Sequence, residues 1–216
     1  MHGFHLVIYT FMAILPISNP IGMAPIFLEL TSDYSKTIRH KAALAVGSYC
    51  FFLITGILLV GPLIIAFFGI SIPIIQLAGG LLVCHTTWGM LNVQPKVSRA
   101  EVKESDAQKS ASDIAFFPLT MPLTVGAGSI AMTMAIASDI ERTALLPSVV
   151  DYLSAIAGIL GVSLTILICY RFADKIFHKL GTTGTNVVTK LSAFIILAVG
   201  VNIIWDGVRT LILNLH

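Results

Sequence analysis

Apolar residues fall in long, uncharged runs separated by short polar connections. A helix needs roughly 20 apolar residues to cross a hydrocarbon layer about 30 Å thick. Six runs satisfy that length: Phe4–Leu30, Ala42–Phe68, Ile70–Leu91, Ile114–Ser138, Leu145–Tyr170 and Val187–Leu213. The second and third are separated only by Phe68-Gly69-Ile70-Ser71, with Pro73 just beyond, where glycine ends one helix and proline favours the start of another. One helix across both runs would spend about 50 residues on a single crossing, more than twice what a bilayer accepts.

Composition turns these runs into a membrane assignment. Only 11% of the 216 residues are charged and 56% are hydrophobic. The mean hydropathy is +0.91. Soluble domains carry about 25% charged residues, so the sequence excludes a soluble enzyme with an ordinary water-facing surface. The formal charge of +2, with bases and acids interleaved, gives no reason to expect a nucleic-acid partner. Cys50, Cys84 and Cys169 lie inside apolar runs and read as packing residues, with no disulfide or metal site expected. Met1 to Tyr9 contains no Lys or Arg, and so lacks the basic region of a signal peptide.

The connections carry the charge, and on alternate sides. Lys36, Arg39 and Lys41 occupy the first connection; Lys96, Arg99, Lys103 and Lys109 the third; Arg171, Lys175, Lys179 and Lys190 the fifth and its flanks. Only Arg142 and Arg209 of the 13 bases fall on the other side. Positive residues stay cytoplasmic, so both termini are expected outside the cytoplasm of an inner (plasma) membrane protein. The connection 93–113 mixes both signs and reads as a solvated linker between two three-helix units, 1–92 and 114–216.

Three helices is an odd number, so the second unit is expected inverted relative to the first. Two echoes link them. Pro16-Ile17-Ser18-Asn19-Pro20-Ile21 parallels Pro118-Leu119-Thr120-Met121-Pro122-Leu123, and Ala43-xxx-Gly47 parallels Ala157-xxx-Gly161. Small residues at the latter spacing allow close helix approach in membranes.

The prolines predict breaks in the first and fourth helices. Pro20 lacks an N–H and disfavours helical geometry at Asn19, yet Asn19 is a good cap and Pro20 a good first residue for a new helix. The stretch Pro118 to Ile130 holds two prolines, two glycines and hydroxyls at Thr120, Thr124 and Ser129. Irregular backbone at membrane depth must be buried in protein or line a watery cavity. Paired interrupted helices point to a transporter's binding site. Half-helix starts favour a carboxylate, exposed carbonyls an ammonium, and a small zwitterion matches both. The expected substrate residues are Asn19, Pro20, Gly22, Thr124, Gly126, Gly128 and Ser129. Two packed, kinked helices with no ligand are the plainer alternative.

The pattern Asn19-Pro20-x-Gly22-x-x-Pro25, the Pro118-Leu119-Thr120-x-Pro122-Leu123-Thr124-x-Gly126-x-Gly128 stretch, Phe68-Gly69-Ile70-Ser71 and Gln76-Leu77-Ala78-Gly79-Gly80 together resemble the MarC family, as does Gly184-Thr185-Asn186-Val187-Val188-Thr189-Lys190. The resemblance covers essentially the whole chain. It implies a multi-spanning membrane protein of a family that includes small neutral amino-acid transporters. Ala127 stands where the family often has proline, and Gln76 where many members have arginine.

His85, with Thr86 and Thr87, forms a polar patch in the third run, and is either a proton-coupling group or a packed histidine. Gln76, Lys190 and Asn202 are further candidates for coupling or support; Lys190 also suits snorkelling and Asn202 an interhelical bond. Trp88 and Trp205 read as interface anchors. Nucleotide-binding and zinc-protease motifs are absent, as is any intramembrane nucleophile–base pair, so no enzyme activity and no cofactor are expected. The sequence thus predicts an all-α integral membrane protein, six transmembrane helices in two inverted three-helix repeats with broken first and fourth helices. It reads as a secondary transporter of a small neutral amino acid or similar small metabolite by alternating access, with H+ or Na+ coupling open. A channel or exporter for another small solute and a non-transporting scaffold are the alternatives.

Overall fold

The computed structural model describes residues 2–32, 34–92, 114–143 and 149–213, and every regular element among them is helical. The expected linker 93–113 and the start of the fifth run at Leu145 lie outside the described residues. The first run forms two helices, α1 (His2–Ser18) and α2 (Pro20–Leu30), bent by 45° at Asn19.

Helix α3 (Lys36–Phe68) starts six residues before its apolar run, because capping rather than hydropathy sets its end. Ser35 Oγ accepts from the Ile38 amide at 3.4 Å, which stabilises a polar first turn. Its far end is the expected turn: Gly69 adopts φ 63°, and the Gly69 and Ile70 amides bond back to Ala66 and Ile65. Helix α4 (Ile72–Asn92) follows directly.

The fourth run is broken as expected, into α5 (Ala115–Thr124), a π-helical segment, and α6 (Ala127–Thr143). The last element, α7 (Val149–Leu213), departs from expectation at its middle. In place of a loop between the fifth and sixth runs, helix continues on both sides of one non-helical residue, Gly181, at φ 64° and ψ −176°. The intervening segment keeps good helix formers, and Ala173 and Phe177 bury themselves in the core, so nothing unwinds it earlier.

Helices α3 and α4 and the two arms of α7, Val149–Phe177 and Thr183–Leu213, are long and apolar enough to cross a membrane. The bent pair α1–α2 makes a fifth span if taken as one; the apolar part of α6, Ala127–Ile140, is shorter. Lipid suits the exterior. Phe52, Leu63, Phe67, Phe194 and Trp205 are all exposed, an apolar surface far larger than a soluble monomer presents.

The first arm of α7 runs alongside α1 and α2 in the same direction. A Cβ on Gly3 would meet Ser154, one on Gly158 would meet the Val7 carbonyl, Phe27 stacks on Tyr170, and Arg39 pairs with Asp174. The small-residue echo shifts by one position here: Ala157 is exposed, and Gly158 and Gly161 face α1. The second arm runs opposite to α4, with Gly200 against Gly80 and Gly207 against Pro73. One core, including Phe27, Ile54, Leu58, Ile159 and Ile166, fills the space among α2, α3, α5 and the first arm.

Candidate substrate site at the helix breaks

At the first break the chain turns at one residue. Asn19 has φ 42° and ψ 57°, and no other described non-glycine residue has positive φ. The right-handed helical region is disfavoured before proline. The left-handed one is open to asparagine at low cost. The Asn19 side chain then folds over the new helix, its Oδ1 accepting from the Gly22 amide at 3.1 Å. Glycine at position 22 leaves room for that cap, because a Cβ there would displace the Asn19 side-chain amide. Asn19 is 7% exposed, and its Nδ2 finds no hydrogen-bond partner among the described residues.

At the second break two residues leave the helical region. Phe117 (φ −130°, ψ 122°) and Met121 (φ −118°, ψ 120°) are extended, and each immediately precedes a proline. The intervening turns widen to five-residue closures. The Val125 amide bonds to the Thr120 carbonyl at 2.8 Å. Thr120 Oγ1 donates to the Ala115 carbonyl at 2.6 Å, and Thr124 Oγ1 to the Leu119 carbonyl at 2.7 Å. These hydroxyls bond back to carbonyls five residues earlier and brace the widened turns.

Thr124 spends its proton on Leu119, so Tyr170, 2.9 Å away, donates its hydroxyl hydrogen to Thr124 Oγ1. The Tyr170 ring is buried and stacked on Phe27 with centroids 4.7 Å apart. One tyrosine therefore ties the second break to the half-helix that follows the first.

The breaks meet directly where α1 ends and α6 begins: Ser18 Oγ and Ser129 Oγ lie 3.4 Å apart, 111 residues apart in sequence. Beside this contact is a cavity of about 340 Å³. Gly126, Ala127, Gly128 and Ser129 form one edge; Ile17 and, from α2, Met23 and Ile26 form another. The remaining wall comes from α4, with Leu82, Val83, Thr86 and Thr87, and from Ile196 on α7. A Cβ on Gly128 would collide with Val83 and lie 2.9 Å from Ile17 Cγ2, so this glycine sets how closely three helices converge. The lining carries no formal charge. Its polarity comes from hydroxyls and from the first-turn N–H groups of α6, where the helix dipole is positive.

Of the expected site residues, Gly126, Gly128 and Ser129 line this cavity, while Asn19, Pro20, Gly22 and Thr124 build the joints beside it. The coupling candidates lie elsewhere. His85 is exposed on α4, Lys190 is exposed on α7, Gln76 packs near Gly207, and Asn202 is exposed with its Nδ2 3.5 Å from Asp206 on the same helix. Ser18, Tyr170 and the apolar wall were not marked by the sequence reading. Ser18 sits inside the first proline motif and matches Thr120 in the echo, a signal that was available; Tyr170 and Ile196 gave none.

Comparison with known proteins agrees with a chain embedded in the membrane. The family described as MarC family integral membrane protein matches residues 4–212. A UPF0056 membrane protein of Aquifex aeolicus is 28% identical over 207 residues, covering 96% of this chain and 94% of that protein. The UPF0056 membrane protein YvbG of Bacillus subtilis is 30% identical, covering 95% of each. The UPF0056 inner membrane protein MarC of Salmonella arizonae is 30% identical, covering 94% of each. No solved structure matches the chain. With nearly its whole length matched and its two proline-broken helices in place, the chain belongs to the MarC family of integral membrane proteins.

Proposed function

We propose that this protein is a secondary transporter that carries a small neutral amino acid or similar metabolite across the cell's inner (plasma) membrane by alternating access. The observation that carries this reading is the Ser18–Ser129 contact, which brings two helix breaks together at the edge of a partly open cavity. Broken helices from different parts of the chain converging on one cavity are how transporters build a site inside the bilayer. A packing defect alone gives no reason for two breaks to coincide.

The same reading takes the bent pair α1–α2 and the broken pair α5–α6 as equivalent spans of two inverted three-helix repeats, giving six crossings. Three facts support it. The residue before the second proline is the non-helical one in both motifs, Asn19 and Met121. The Arg39–Asp174 pair places the starts and ends expected to be cytoplasmic beside each other. The first arm of α7 runs parallel to α1, as alternate crossings require. Both termini then lie outside the cytoplasm.

In the site, the first-turn amides of α6 would receive a carboxylate, and the protein would need no cofactor and catalyse no bond change. Counterflow in proteoliposomes preloaded with unlabelled glycine, alanine or serine tests the carrier. Uptake of label by the parent, lost in a Pro20/Gly126 double variant, is the expected result. Correctly inserted protein that supports no counterflow of any of the three would overturn the amino-acid assignment. Flux without counterflow would instead indicate a channel.

A further inference from the structure

We infer that the cavity is a side-chain pocket for aliphatic amino acids of valine or leucine size, with α4 as its selective wall; this rests on the carrier reading above. Most of the lining is hydrocarbon. Ile17, Ile26, Val83 and Ile196 come from four different elements and line one space. At about 340 Å³ it stands at the small end of ligand pockets, which run from about 300 to 1,000 Å³. It would hold roughly eleven waters at about 30 Å³ each, so glycine leaves most of the apolar wall facing water. Each methylene that replaces that water improves binding roughly fourfold, the equivalent of about 0.8 kcal/mol.

The hydroxyls of α4 fix the other end of the ligand. Thr87 Oγ1 donates its proton to the Val83 carbonyl at 2.6 Å. Thr86 Oγ1 shares its proton between the Leu82 and Val83 carbonyls at 2.9 and 3.0 Å. Both hydroxyl hydrogens are committed to their own helix, and only lone pairs remain to be offered. The group that α4 receives is therefore a donor, the substrate's ammonium, while its carboxylate lies toward the start of α6.

The test is inhibition of counterflow in proteoliposomes by a graded series: glycine, alanine, 2-aminobutyrate, valine and leucine, with serine as the polar near-isostere of 2-aminobutyrate. The half-inhibitory concentration is expected to fall roughly fourfold per methylene up to valine. Serine should compete several-fold less well than 2-aminobutyrate. Ile196→Phe narrows the pocket and should move the optimum back toward alanine, whereas a general folding defect would lower every substrate alike. Thr87→Val should weaken the whole series, with Thr87→Ser restoring it. A series that is flat or favours glycine overturns the pocket while leaving the carrier intact. A rising series unmoved by Ile196→Phe also overturns it, by removing this cavity as its cause. Absence of counterflow with every member removes both the pocket and the amino-acid assignment.

Discussion

At the first break one residue, Asn19, leaves the helical region; at the second, Phe117 and Met121 do so four positions apart. Both motifs read proline, two residues, a variable residue, proline, so the difference lies in the variable position and its surroundings. Asparagine tolerates the left-handed region and can cap the helix it starts, so a single sharp joint suffices. Methionine does neither. It goes extended instead, and the chain recovers through widened turns held by Thr120 and Thr124. Leu15, which matches Phe117 in the echo, stays helical: its carbonyl accepts from the Asn19 amide at 3.0 Å. The first break is thus held by its own residues, and the second by its threonines together with a neighbour, Tyr170. Two breaks that meet need not share a mechanism, only a place.

The comparison is broken hardest at its glycines. Gly128→Ala is expected to have the largest effect, because the new methyl meets Val83 and Ile17 on two other helices. Overpacking costs about 1–3 kcal/mol, and transport should fall below detection while membrane insertion persists. Gly22→Ala displaces only the Asn19 cap and should cost about 0.5–2 kcal/mol, read as a smaller loss of thermal stability in detergent. If the two variants prove equally damaging, the first break depends on more than its own residues.

Asn19 separates backbone from side chain. Asn19→Ala removes the cap and leaves a residue poorly suited to φ 42°, a loss of about 1–2 kcal/mol. Asn19→Gly keeps the backbone and should cost only a few tenths of a kcal/mol. Transport by the glycine variant at parental rate would show that the amide serves the joint alone. Its loss at retained stability would assign the unpaired Nδ2 to the substrate.

Tyr170→Phe keeps the stack on Phe27 and removes one hydrogen bond to Thr124. It should destabilise by about 1 kcal/mol and act on the second break only, so combining it with Asn19→Ala should give additive losses. The smallest effect is expected from Asp174→Asn. Its partner Arg39 is mostly buried, but Asp174 is 47% exposed, and solvent screening holds such pairs to about 0–1 kcal/mol. Arg39→Lys should cost somewhat more, because the guanidinium also donates to the Thr31 carbonyl at the end of α2.

The joints were legible in the sequence because proline and glycine act on their immediate neighbours. Pro20 and Pro122 announced the non-helical residues before them, and Gly69 announced the turn after α3. What the sequence did not disclose depends on contacts between distant segments. The Asn19 cap was legible for the same local reason, its oxygen being committed three residues away to Gly22, but the Ser18–Ser129 contact was not. His85, the one ionisable residue well inside a run, drew attention from the threonines beside it. Two residues further along a helix is about 200° around it, enough to leave His85 outside while Thr87 turns inward. Tyr170 closed an apolar run and carried no pattern of its own, because its partners Thr124 and Phe27 lie in other segments. The fifth connection was drawn as a loop since charge marked it. Charge does not unwind a helix, and only Gly181 interrupts it.

The order Asn19-Pro20 also governs how this joint ages. An asparagine side chain converts to aspartate mainly when the next residue's amide nitrogen attacks it and expels ammonia, and that nitrogen must carry a hydrogen. Proline has none. The amide at the first break is therefore shielded from its commonest chemical decay by the very residue that bends the chain. A joint without that protection would gradually acquire a carboxylate, 93% enclosed by protein in an apolar surrounding, where an unpaired charge is costly.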